Sequence, residues 1–75
     1  MSAPPVDLTR QVCPGHLLQA CHALAGATAG ERLEFRLRDA RQASELAGVL
    51  RQGGHRVVGA GRTKDYCWLE VVKGG

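Results

Sequence analysis

Cys13 stands directly before Pro14, Gly15 and His16, and the apolar pair Leu17-Leu18 follows. Proline favours the first position of a helix, because its missing N–H would have found no intrahelical partner there. A cysteine just ahead of it faces the unpaired amides and the positive dipole end of that helix. Both stabilise a thiolate, so the spacing predicts a nucleophilic sulfur on a helix tip. Pro14, Gly15 and His16 would support that sulfur. The amides of Gly15 and His16 would steady an anion, and Gly15 would let a reaction partner come close.

His16 lies about one helical turn from Cys13 and has two readings. Its imidazole could meet the thiolate, as histidine does for activated cysteines, or it could be an exposed side chain. Cys21 falls on the same helical spacing as Leu17 and Leu24, and Cys67 alternates with Leu69 and Val71. Both therefore read as core thiols behaving as small hydrophobes. Eight residues of helix would put Cys21 about 12 Å from Cys13, beyond disulfide reach. His22 is expected to face solvent, and His55, after Gly53-Gly54, to serve a turn. These spacings match no standard zinc ligand set, so neither a metal nor any other cofactor is expected.

The elements that must position Cys13 follow from periodicity. Val6 to Thr9 alternates as a short strand leading into the cysteine turn. The helix from Pro14 runs to about Gly26, with Leu17, Cys21 and Leu24 as its stripe and Leu18 and Ala25 alongside. In Glu31 to Arg38, Leu33, Phe35 and Leu37 share one strand face, and Arg32, Glu34, Arg36 and Arg38 the other. Asp39 reads as an N-cap with Gln42 completing a capping box. Ala43, Leu46, Ala47 and Leu50 form the stripe of a second helix that Gly53-Gly54 ends. His55 to Ala60, a turn at Gly61 to Asp65, and Tyr66 to Val72 make a hairpin. The order β-α-β-α-β-β predicts an α+β fold, a two-layer sandwich with both helices on one face of a four-stranded mixed sheet. Residues 1–5 read as a disordered lead-in and residues 6–73 as one domain.

Motif and element order together resemble the TusA/SirA family of small sulfur-carrier proteins. Asp7-Leu8 stands where the family's first strand ends, and Cys13-Pro14-Gly15-His16-Leu17-Leu18 matches its Cys-Pro-x-Pro-Leu-Leu motif. Gly30-Glu31-Arg32-Leu33-Glu34 matches the entry to its second strand, Asp39 its second helix cap, and Gly54-His55 the opening of its third strand. Two positions depart: His16 replaces the second proline of the motif, and Cys21 replaces a lysine usual in the first helix. The resemblance implies a carrier that holds sulfur as a persulfide on Cys13. It would take that sulfur from a cysteine desulfurase, a rhodanese or a DsrE-like protein and pass it to an acceptor. Such relays serve tRNA thiolation, cofactor synthesis or sulfur oxidation. This is sulfurtransferase-type carrier chemistry rather than turnover of a small substrate.

Composition narrows the alternatives. The 75 residues carry a net charge of +3, a mild bias well short of a nucleic-acid signature. No apolar run is long enough to span a bilayer, and Met1 to Pro5 lacks the features of a secretory signal. Three cysteines, an odd number with no framework spacing, point to a reducing, cytoplasmic setting. The expected partners are a protein sulfur donor and acceptor, not a membrane, with the chain itself a monomer. Arg10, Arg36 and Trp68 are the residues read as partner-binding. Arginines beside Tyr66 and Trp68 could also stack single-stranded nucleic acid, but a solvated sheet face explains them more simply. A rival reading keeps the fold and the docking but moves no sulfur, as a regulatory or assembly module.

Overall fold

A computed structural model describes residues 5–11 and 14–74; the expected lead-in lies largely outside them, and so do Val12 and Cys13. The elements are β1 (Val6–Asp7), α1 (Gly15–Ala25), β2 (Arg32–Leu37), α2 (Ala40–Gln52), β3 (Arg56–Arg62) and β4 (Cys67–Val72). The strands form one mixed sheet in the order β1-β2-β4-β3. β1 runs parallel to β2, and the other two pairings are antiparallel. The α+β, β-α-β-α-β-β architecture matches the sequence reading.

Alternation on β2 and β4 sets the layers. Leu33, Phe35 and Leu37 are buried on one face, paired in register with Val71, Leu69 and Cys67. They form a single core with Leu24 of α1 and Leu46 and Leu50 of α2, so both helices share that face of the sheet. The opposite face is polar: Arg32 Nη1 pairs with Glu70 at 3.2 Å and Arg36 Nε with Glu34 at 3.0 Å.

Asp39 caps α2 as its sequence suggests, its Oδ1 accepting the Gln42 amide at 2.9 Å. The capping box stops halfway, because Gln42 Oε1 is buried without a hydrogen-bond partner among the described residues. At the other end of α2, Gly54 takes φ +89°, a left-handed conformation that costs a glycine nothing. The hairpin departs from expectation in length. β3 continues to Arg62, and the turn tightens to Thr63–Tyr66, closed by the Thr63 amide donating to the Tyr66 carbonyl at 2.7 Å. His55 closes the turn after α2 through its backbone, its amide donating to the Leu50 carbonyl at 3.0 Å, while its Nδ1 accepts the Gly74 amide of the C-terminal end at 3.1 Å.

Candidate functional site

The chain approaches Cys13 from β1. Leu8 is buried and its amide donates to the Arg36 carbonyl at 2.8 Å, which extends the parallel ladder past Asp7. Thr9 then folds back on Asp7, whose Oδ1 accepts the Thr9 hydroxyl at 2.6 Å and the Thr9 amide at 3.0 Å. Those two bonds, the hydroxyl first, hold the Asp7 carboxyl below its ordinary range, helped by the positive charges of Arg10 and Arg36. The Gln11 amide donates to the Leu8 carbonyl at 3.1 Å, completing the loop. Asp7, Thr9, Leu8 and Gln11 thus fix the chain up to the segment that carries Cys13.

On the far side, the helix starts one residue later than its sequence suggests. Pro14 is the N-cap and Gly15 the first helical residue. The Pro14 carbonyl accepts both the Leu17 amide at 3.0 Å and the Leu18 amide at 3.1 Å. Gly15 and His16 therefore carry the first two amides of the helix, which have no intrahelical acceptor. The space beside Gly15 is partly filled, since a Cβ there would meet Gln11 Oε1 at 3.1 Å. Pro14 is exposed.

The structure overturns two expectations for α1. His16 is fully buried rather than exposed, and the helix turns His16, Ala20 and Leu24 inward. Cys21 is exposed rather than in the core, and Leu18 is 67% exposed. Leu24 belongs to both stripes, so the difference is a rotation about the helix axis. Apolarity alone selects Leu17, Cys21 and Leu24, but the small Ala20 is fully buried, and His16 precedes it by one turn on the same face. Cys67 is buried as expected, and His22 is exposed as expected.

The His16 ring meets α2. Its Nε2 lies 3.9 Å from Glu45 Oε2, too long for a hydrogen bond, and neither ring nitrogen has a hydrogen-bond partner among the described residues. Glu45 also faces Arg41, Nε to Oε1 at 3.6 Å, one turn back along α2. Sequence reasoning missed Glu45. The i, i+4 spacing of Arg41 and Glu45 was legible, but only the packing of α2 on α1 brings that pair to the first turn of α1.

Of the residues read as partner-binding, the fold pairs Arg36 with Trp68, and Arg10 lies near the same Asp7 that Arg36 faces. Arg10 is exposed in the loop after β1. Arg36 and Trp68 are a cross-strand pair on the polar sheet face. Arg36 is held by Glu34 and lies over the Tyr66 ring at 4.8 Å. Trp68 lies across Gly59 and Gly61, where a Cβ on Gly61 would come within 2.7 Å of the indole.

A mixed four-stranded sheet under two helices, with the first two amides of α1 beyond the reach of any intrahelical acceptor, defines a small two-layer α+β domain. The chain is 31% identical over 68 residues to a protein of Archaeoglobus fulgidus named "Putative sulfur carrier protein", covering 91% of this chain and 92% of that one. No family model matches. At that identity and coverage the chain belongs to the sulfur carrier protein family. Among the described residues no helix is long and apolar enough to cross a membrane.

Proposed function

We propose that this protein relays sulfur as a persulfide on Cys13, in the manner of the TusA/SirA family. The Cys13 thiolate attacks the terminal sulfur of a donor persulfide, and the donor's thiolate leaves. An acceptor thiolate then attacks the terminal sulfur on Cys13 and releases the Cys13 thiolate. Each step exchanges one S–S bond for another, so no external oxidant or reductant is needed. The observation that carries the reading is the family membership joined to a cysteine next to Pro14, the N-cap of α1, ahead of first-turn amides that have no intrahelical acceptor. Those of Gly15 and His16 stabilise the anionic sulfur, while Arg10, Arg36 and Trp68 contact the protein donor and acceptor. The relay works in the cytoplasm with the chain as a monomer.

Intact-mass measurement after incubation with inorganic polysulfide, or with a cysteine desulfurase and cysteine, tests the reading. A one-sulfur adduct is expected. It should vanish in Cys13→Ser and survive in Cys67→Ser and in Cys21→Ser. The last control is the sharper one because Cys21 is exposed. No adduct with any donor would instead favour a module that docks relay partners without moving sulfur.

A further inference from the structure

β3 is the sheet edge opposite β1, and the core runs out beneath it. Ala60 pairs in register with Leu69, yet Leu69 is buried while Ala60 is exposed. Between β3 and α2 lies an open groove of about 460 Å³. Ala43 and Ala47 of α2 form one wall, Val57 and Ala60 of β3 the other, and Cys67 and Leu69 the floor. The chain turns back from α2 into β3, so Arg51 stands at the turn end of the groove and Arg62 at the other. Residues 40 to 51 of α2 span roughly 16 Å, the reach of about five extended residues.

The charge on this groove has one sign. Neither Arg51 nor Arg62 has an ion-pair partner among the described residues, and no carboxylate lines the groove. Of the other sheet arginines, Arg32 and Arg36 of β2 are paired with Glu70 and Glu34, and Arg56 at the start of β3 lies outside the groove lining. Among the described residues β3 pairs only with β4, which leaves its outer backbone edge open to another strand. A second copy of this chain would bring the same two arginines to the contact, so like charge argues against self-pairing.

We propose that this groove docks an extended acidic peptide segment of a partner protein. The segment adds as a strand along β3, sets apolar side chains between Ala47 and Ala60, and places carboxylates against Arg51 and Arg62. The site lies three strand spacings from β1, roughly 14 Å across the sheet, so a partner held here leaves β1 uncovered. The surface stands independently of the sulfur-transfer reading.

The test uses the full ¹⁵N-labelled chain and two capped eight-residue peptides, one alternating valine with glutamate, the other valine with lysine. Amide shifts are expected for Val57 to Arg62 and for Ala43 and Ala47 with the glutamate peptide only, weakening as salt rises. Arg51→Glu combined with Arg62→Glu should lower affinity about tenfold or more. Ala60→Phe should block binding by filling the groove while leaving far-ultraviolet circular dichroism unchanged. Equal binding of both peptides, shifts confined to other elements, or no shift at millimolar peptide would overturn the proposal. So would a concentration-dependent dimer through β3 in sedimentation, which would make a second copy the occupant. Cys13→Ser should bind the peptide normally, and the double arginine variant should still take sulfur from polysulfide, which separates this result from the relay.

Discussion

His16 is a polar ring sealed between two helices with no hydrogen bond among the described residues to offset its lost hydration. Leaving such a group unsatisfied costs about 1–3 kcal/mol. His16→Leu keeps a side chain of similar reach and removes the polar atoms. Its urea-unfolding midpoint is expected to hold or rise; a loss above about 1 kcal/mol would show that the ring has a stabilising partner. The same variant separates stability from function. If it folds at least as well but accepts sulfur more slowly from polysulfide, the imidazole serves the cysteine turn rather than the core. Asp7 illustrates the opposite situation: an exposed carboxyl whose hydrogen bonds with Thr9 shape the loop that enters that turn.

At the scale of elements, α1 shows how an ambiguous stripe is resolved. His16, Ala20 and Leu24 turn inward because the helix must approach both β2 and α2, and alanine is the residue that permits close packing. The hairpin shows the same logic on a sheet. Trp68 spreads over Gly59 and Gly61, two residues of β3 with no side chain to displace it. Glycine in a strand is ordinarily weak, but here its bareness seats an aromatic ring. Gly61→Ala would drive a Cβ into the indole and is expected to destabilise by about 1–3 kcal/mol, despite alanine's smaller backbone entropy cost. Trp68 is the sole tryptophan, so its emission maximum should shift in the same variant. An unshifted spectrum with unchanged stability would mean the ring does not lie there.

For the whole molecule, size governs the margin. At about 0.05–0.15 kcal/mol per residue, a chain this short has roughly 4–11 kcal/mol of stability. Phe35 is fully buried at the centre of the sheet, in register with Val6 of β1 and Leu69 of β4. Phe35→Ala should cost about 3–5 kcal/mol, a large part of that margin, and Phe35→Leu distinctly less. Urea denaturation followed by circular dichroism would read both, and a cost below about 1 kcal/mol for the alanine variant would contradict the central position of this ring. The C-terminal end joins the same framework, since Lys73 exchanges backbone hydrogen bonds with Gly30 and Glu31 and its Nζ donates to the Ala27 carbonyl at 2.6 Å. The loop between α1 and β2 is thereby tied to the end of β4, far along the chain.

By itself the sequence determined every element that a strong local signal marks. The alternation of Leu33, Phe35 and Leu37, the Asp39 cap and the glycines after α2 each express an interaction within a few residues, so one dimension suffices to read them. The cysteine motif and the order of landmarks were also legible, and they led to the sulfur carrier family that the relative supports. What only the tertiary structure decided depends on which surfaces meet. The buried face of α1, the exposure of Cys21, the contact of His16 with Glu45 and the open groove beside β3 are all of this kind. Two stripes of α1 shared Leu24, and a periodicity cannot choose between them; packing against α2 and β2 does. Likewise, the sequence of β3 does not mark its inner face, since a register shift between Val57 and Gly59 passes that face from Val57 to Ala60, and α2 covers it only in part.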